Sequence, residues 1–363
     1  MAGRNVEELF TSLVEGLFDA VHISEIRVQA DQLIHKLSST IFESELRSNH
    51  TSETYLRGTT SALLSAFLDA WPHELARPSS EDAAISMNLI ASLVDELVGI
   101  KEQSNISLSD IMPFLHLISN KFIALSLEDT WVEKIAACTG IKIMARAPEV
   151  GPAWIVERDL DLVRTLLHIL KDVTPDIPRD TTDIIDTLVN ILRITHADSD
   201  FSADGNSPAR NKVILFAGLF FADLNSPNPI VRQASQRCIS VLVELSKKPA
   251  AEILMPHRER MHHTLFTKPL RALPFPSQIG KIEATRYCVT LEPPLIELGD
   301  ELLRLLHETL ALADADEGAL VGRVGSRQHS LEVTKLRVAC IKLLTASMPL
   351  TDFFSRQHQT RQR

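Results

Sequence analysis

Residues 217–248 begin with an apolar block, Ala217-Gly218-Leu219-Phe220-Phe221-Ala222-Asp223-Leu224. A short polar run follows, Asn225-Ser226-Pro227-Asn228-Pro229. The stretch then continues Ile230-Val231-Arg232-Gln233-Ala234-Ser235-Gln236-Arg237-Cys238 and on to Lys248. The first block reads as the end of an apolar helix. The Asn/Ser/Pro run is a tight turn, because Pro cannot continue a helix and Asn and Ser bond to nearby backbone instead. In the third block Val231, Ala234, Cys238, Val241, Leu242 and Leu245 recur at helical spacing, so they share one face. Pro229 suits the first turn of that helix, where a missing N–H costs nothing.

An apolar helix, an Asn/Pro turn, Val-Arg-x-Ala and a second amphipathic helix together have the shape of a HEAT repeat. Such a pair cannot bury its stripe alone and must stack on neighbours. The flanking sequence supplies those neighbours. Helical periodicity runs from Val6 to His35, with a turn near His22 to Glu25. It returns from Tyr55 to Asp69, ended by Trp71-Pro72, and again over Ala84–Ile100, Leu108–Leu127 and from Trp131 to Ala145. Ser107 or Ser109 is expected to cap the helix that starts at Leu108. Pro148 to Trp154 reads as a turn before a helix over Asp159–Leu170, and Thr181–Ile194 is helical. After Lys248, Ala250–Phe266 continues as helix, and Thr267–Gly280 carries three prolines. Lys281–Leu291, Leu298–Ala313 and Val333–Ser347 close the series.

A basic residue two places before a small one recurs near helix starts: Arg57/Thr59, Lys134/Ala136, Arg232/Ala234, Arg286/Cys288 and Arg337/Ala339. The small residue permits close approach to the next helix. The basic one is expected to reach the turn of its own repeat or a neighbouring carboxylate. The expected fold is therefore all-α, an α-solenoid of HEAT/armadillo-type hairpins running continuously over residues 1–354. Mobile loops are expected near 196–210 and 314–330, and a disordered tail over 355–363.

Composition narrows the function classes. Apolar residues make up 45% of the 363, enough for a large core, whereas aromatics are only 5% and glycines number 13, which disfavours strand-rich folds. The formal net charge of −10 argues against a general phosphate-backbone binder, so no direct nucleic-acid binding is expected. Cys138, Cys238, Cys288 and Cys340 lie singly in apolar helical stretches and form no C-x-x-C pair. They read as small core hydrophobes in a reducing compartment rather than zinc ligands. The start, Met-Ala-Gly-Arg-Asn-Val-Glu-Glu, has no signal-peptide character, and the longest apolar run, Val213–Ala222, is about half a membrane span. A soluble intracellular protein with no membrane partner is expected, so the sequons at Asn49 and Asn105 read as chance matches.

Motifs for chemistry are sparse. Asp314-Ala315-Asp316-Glu317-Gly318 places its glycine one position too early for a calcium loop and reads as a helix end running into an acidic loop. His257, His262 and His263 with Glu259 lack the H-E-x-x-H spacing and read as a solvated face. No phosphate loop, kinase signature or G-x-S-x-G occurs. No catalytic, cofactor-binding or metal site, and no small-molecule substrate, is expected. Trp71, Trp131 and Trp154 sit at helix boundaries, as core staples or as partner anchors.

Several stretches go beyond a generic repeat. They are Asp129-Thr130-Trp131 with Lys134 and Gly140–Met144, then Leu166–Asp172, then Lys268–Pro274 with Gln278–Gly280 and Tyr287-Cys288. Leu302–Asp316 and Lys335–Leu344 complete the set. These stretches resemble the N-terminal helical-repeat region of the TRRAP-type scaffolds, the pseudokinase branch of the PI3-kinase-related kinase family. The resemblance is specific from about Leu115 to Met348 and weaker before it. It implies a nuclear, non-catalytic subunit of histone acetyltransferase coactivator complexes such as SAGA. The implied role is docking of transcription activators in transcription, chromatin modification and DNA repair. The family's FAT and pseudokinase regions are not in this sequence, so the resemblance implies a fragment or truncated product whose uncapped end hairpins limit solubility. No catalytic positions carry over. Acidic activation segments would need basic patches, and the candidates are Arg258, Arg260, Lys268 and Arg271. The alternative is a HEAT-repeat transport receptor or phosphatase-type scaffold.

Overall fold

The computed structural model describes residues 2–48, 54–77, 79–103, 106–148, 150–174, 179–197, 208–315 and 327–361. Among them no strand occurs, and they form a succession of helices. It divides into two compact units: residues 1–169 with 181–195, and residues 170–180 with 196–363.

The first unit contains α1 (Ala2–Val21), α2 (Arg27–Ser48), α3 (Thr54–Leu75), α4 (Ser80–Gln103), α5 (Leu108–Leu125) and α6 (Trp131–Arg146). It also holds α7 (Val150–Lys171) up to Ile169, and α8 (Thr182–Thr195). α1 packs on α2 and α3, α2 on α3 and α4, α3 on α4, α5 and α6, α4 and α5 on α6, and α6 on α8. Contacts between helices one, two or three places apart are how stacked repeats bury their stripes. The centre is aromatic. Phe42 meets Phe114 with ring centroids 5.3 Å apart, and Phe67 meets Trp71 at 5.9 Å. Edge-to-face pairs of this kind add to the burial energy. Trp71 and Trp154 are core residues, 1% and 0% exposed. A Cβ on Gly140 would lie 2.4 Å from the Phe122 ring, so only glycine lets α5 and α6 approach this closely.

The first unit also carries a buried polar cluster. Glu74, 2% exposed, faces His22 Nε2 at 2.6 Å, Arg77 Nε at 2.7 Å and Ser86 Oγ at 2.7 Å. His22 Nδ1 lies 2.8 Å from Asp82, and Arg77 Nη2 donates to Asp19 at 2.6 Å. Four elements meet here: the end of α1 (Asp19), the α1–α2 turn (His22), the end of α3 (Glu74) and the start of α4 (Asp82).

The second unit contains α9 (Pro208–Asp223), α10 (Pro229–Ser246), α11 (Ala250–Leu254), α12 (Arg258–Phe266), α13 (Phe275–Val289), α14 (Asp300–Asp314) and α15 (Arg327–Arg361). α9 packs on α10 and α11, α12 on α13 and α14, and α13 and α14 on α15. The hairpin read from residues 217–248 is present. Asn228 caps α10, its side chain accepting from Ile230 N at 3.0 Å, and Pro229 is the first helical residue. The Asn228 amide also donates to Leu170 O at 3.2 Å and Val173 O at 2.8 Å.

Arg232, 5% exposed, does both things expected of the repeat's basic residue. It donates to the turn carbonyls Ser226 O at 2.7 Å and Pro227 O at 3.0 Å, and to Glu283 at 2.9 Å. Arg337 likewise donates to Ala315 O, at the end of the preceding helix. Lys134 is buried. Arg286 Nε is buried and makes no bond among the described residues. Arg57 and Thr59 lie outside the residues whose side chains are described. A Cβ on Gly280 would lie 2.5 Å from Ser226 O, so α13 crosses the α9–α10 turn at backbone contact.

Several expected boundaries move. α3 runs on through Pro72 to Leu75, and α7 starts at Val150, taking in Pro152. Pro72, near the end of α3, removes one backbone bond beside the core anchor Trp71, and Pro152, in the first turn of α7, removes none. The expected helix Ala250–Phe266 is instead broken by a 3-10 turn at Met255–His257, which contains Pro256. α13 begins at Phe275 rather than Lys281. α15 starts at Arg327 and stays helical past Ser347 and Pro349 to Arg361, since one exposed proline removes a single N–H. Ser107 is the cap of α5, accepting from Asp110 N at 3.3 Å. α4 over Glu81–Gln103 is long and apolar enough to cross a bilayer by length and composition, which the search for unbroken apolar runs missed. Its Ile90, Leu93, Val94 and Leu97 are core residues here. The expected loops fall largely on residues outside the described ones (198–207 and 316–326), as do the acidic run from Asp316 to Gly318 and the sequons Asn49 and Asn105.

Candidate functional site

The four basic residues singled out in the sequence lie on α12 and on the segment after it. The 3-10 turn around Pro256 ends α11 and lets α12 leave in a new direction. His257 fixes that exit. Its Nε2 lies 2.8 Å from Ile214 O, and its ring occupies the space that a Cβ on Gly218 would approach to 2.5 Å.

Beyond the turn, α14 supplies a polar edge. His262 Nε2 lies 2.9 Å from Glu301, and its ring sits 4.7 Å from that of Phe266. Arg258 Nη2 reaches Glu297 at 3.4 Å. Arg304 donates to Phe266 O at 3.1 Å, and Glu308 accepts from Leu270 N at 2.8 Å. α14 therefore pins the backbone that carries Lys268 and Arg271. Lys281, 2% exposed, donates to Lys268 O from the other side. Burial holds the Lys281 ammonium below the ordinary lysine value, and Arg304 acts the same way, with Glu308 partly opposing.

Two shallow grooves result. One, of about 440 Å³, has Arg258, Glu259, His262 and Glu301 around Phe266. The other, of about 420 Å³, has Lys268 and Lys281 beside Asn225 and Ser277. His263 and Thr267 border both. The structure thus brings Arg258 and Lys268 to two sides of His263. Arg260 and Arg271 are exposed but line neither groove.

Sequence reasoning missed the α14 partners. Glu301, Arg304 and Glu308 recur at spacings of three and four beside an apolar stripe, with Glu297 four residues earlier. That polar stripe could have signalled them. His262 and His263 diverge, one to Glu301 and the other to the groove border.

At this open surface Arg258 and His262 are engaged in ion pairs. The four thiols are elsewhere and buried. Burial pushes Cys138 and Cys340 up to about 11 and Cys238 and Cys288 up to about 12, so they are protonated and unreactive near neutral pH.

Comparison with known proteins places the chain. Residues 2–363 match the family described as the Tra1 HEAT repeat ring region. The SAGA complex/NuA4 acetyltransferase complex subunit TRA1 of Saccharomyces cerevisiae is 27% identical over 366 residues, covering 97% of this chain and 10% of that protein. The corresponding Schizosaccharomyces pombe subunit, Tra1, is 34% identical over 71% of this chain and 7% of its own length. The transformation/transcription domain-associated protein of Homo sapiens is 23% identical over 72% of this chain and 7% of its own length. The chain thus spans a tenth or less of each of these relatives. Their names give no support to the transport-receptor or phosphatase-scaffold alternative. The chain belongs to the Tra1 HEAT repeat ring family.

Proposed function

We propose that this chain is a non-catalytic docking segment of a nuclear coactivator subunit. In this reading it holds transcription activators and acetyltransferase-complex subunits on a helical-repeat surface. The observation that carries the reading is the match of residues 2–363 to a repeat region whose relatives are named as SAGA and NuA4 subunits. Stacked hairpins offer a long surface with little enclosed volume, which suits holding polypeptides more than turning over small molecules. α12 contributes Arg258 and Arg260, and the segment after it Lys268 and Arg271, as contacts for acidic segments.

The test is affinity purification of the tagged chain from nuclei, beside a variant with all four residues changed to glutamate. The wild-type chain is expected to recover acetyltransferase-complex subunits and activators, and the variant to lose the activators. Recovery of transport cargo or phosphatase subunits instead would sink the reading. Unchanged activator recovery by the variant would remove the α12 assignment alone.

A further inference from the structure

Lys281 is a buried ammonium without a carboxylate. It is 2% exposed, and among the described residues its one hydrogen bond goes to Lys268 O. An ammonium has three N–H donors, so two are left over. Glu308 is near enough to favour the charge, yet no carboxylate among the described residues reaches ion-pair distance of it. Elsewhere in the second unit cations are matched: Arg232 meets Glu283, Arg258 meets Glu297 and His262 meets Glu301. Burying a cation without an anion is costly, so the unmatched one calls for an anion from outside the chain.

The groove of about 420 Å³ that Lys281 borders is built to take one. In a chain of net charge −10, no Asp or Glu is among the residues that line it. Thr264 and Thr267 spend their hydroxyl hydrogens on Arg260 O and His263 O. Lys281, Lys268, His263 and Ser277 are left as donors, and they come from α12, the segment after it and α13. Ser277 and Lys281 are four residues apart and share a face of α13. Ser277 also lies in the first turn, where the leading amides have no partner inside the helix. Donors arriving from three elements suit a tetrahedral dianion, which presents oxygens on every side, better than a planar carboxylate. The walls belong to the α9–α10 turn, α12, α13 and the segment between them, with α14 and α15 still to follow, so the last helix of the chain does not create this groove.

We infer that this groove binds the phosphate of a phosphorylated serine or threonine on a partner polypeptide, with Lys281 and Lys268 holding its oxygens and His263 and Ser277 donating beside them. The inference rests on the proposed function in one respect, that the ligand is carried by a polypeptide. It adds what that polypeptide must carry. The groove is shallow and open, so a side chain on an extended segment can enter it.

Fluorescence anisotropy on the purified full chain tests it. The probes are labelled peptides of glycine and alanine with one central phosphoserine, glutamate or serine. The phosphoserine peptide is expected to bind, the glutamate peptide to bind at least ~10-fold more weakly, and the serine peptide not to bind. Lys281→Met and Lys268→Glu should each weaken phosphoserine binding by about tenfold or more, and Lys281→Arg should keep more of it than Lys281→Met. Lys281→Met also removes the bond to Lys268 O, so circular dichroism checks its fold, and Lys268→Glu, on an exposed residue, carries the test if it does not fold. Equal binding of the phosphoserine and glutamate peptides, no binding of either, or phosphoserine affinity indifferent to Lys268→Glu would overturn the inference. Inorganic phosphate binding as tightly as the phosphopeptide would overturn it in favour of the free ion. Tighter binding of a labelled oligodeoxythymidine through the same two lysines would overturn it in favour of a nucleic-acid strand. Any of these results leaves the nuclear recovery of coactivator subunits as a separate outcome, because the peptide measurement uses purified components alone.

Discussion

The two units secure their helix junctions by different chemistry. In the first, side chain meets side chain: Glu74 holds His22, Arg77 and Ser86, and Asp82 and Asp19 complete the cluster. In the second, side chains chiefly grip backbone, with Arg232 also meeting Glu283. Asn228 donates to Leu170 O and Val173 O, Arg232 to Ser226 O and Pro227 O, Arg304 to Phe266 O, and Lys281 to Lys268 O. Such a cluster depends most on its buried member, because removing Glu74 takes from His22, Arg77 and Ser86 the acceptor they share. A clasp on carbonyls depends chiefly on its donor, since each carbonyl keeps a second lone pair.

The largest expected effect separates the two. Glu74→Gln keeps the volume but leaves His22 and Arg77 facing an amide, and should cost about 3–5 kcal/mol of the first unit's stability. Trp71, Trp131 and Trp154 all belong to that unit, so the urea midpoint read by tryptophan fluorescence reports it. A loss under about 1 kcal/mol would show that the cluster is not the junction's main tie. Arg232→Met should cost the second unit about 2–3 kcal/mol, less than the loss of Glu74, because its partner Glu283 can turn to water. Hydrogen exchange of α9 and α10 amides measures it. Arg232→Lys should restore only part, since an ammonium cannot span both carbonyls and the carboxylate as the guanidinium fork does.

Alkali should distinguish the units again. Cys238 and Cys288 are raised to about 12 and Cys340 to about 11 in the second unit, against Cys138 at about 11 in the first. Tyr287, also in the second unit, is raised to about 12. The ordinary thiol value is 9.0, so above it the unfolded chain loses protons that the folded chain keeps. Stability is full below that value and falls as pH climbs toward about 11–12. The second unit, with three such thiols, should lose more. The check is a far-UV circular dichroism transition that tryptophan fluorescence does not share. The smallest effect belongs to the exposed α12 face, where Arg260→Glu should change stability by less than about 0.5 kcal/mol while changing partner recovery.

The same contrast explains what could be read from the residues. The clasp in the second unit is local: Asn228 and Arg232 lie within a few residues of the turn they hold, so the Asn/Pro turn followed by Val-Arg-x-Ala was legible. The cluster in the first unit joins residues 22, 74 and 82, far apart in sequence, and nothing at any one of them announces the others. Proline alone does not mark a helix end: Trp71 beside Pro72 buries enough surface to carry α3 past it, and Pro152 sits in the first turn of α7, where it costs no bond. At the candidate site the basic residues were legible as charges on a polar helix. Their partners were not, because the pairing of His262 with Glu301 on α14, and of Arg258 with Glu297 just before it, depends on how separate elements pack.

Because Arg232 grips main-chain oxygens, the identities of Ser226 and Pro227 matter little to the clasp. Any residues that keep the same bend would present the same two acceptors. Substitutions there that keep the length should leave the joint shut, whereas insertions should open it, because α13 crosses that bend at backbone contact and Asn228 ties it to Leu170 and Val173.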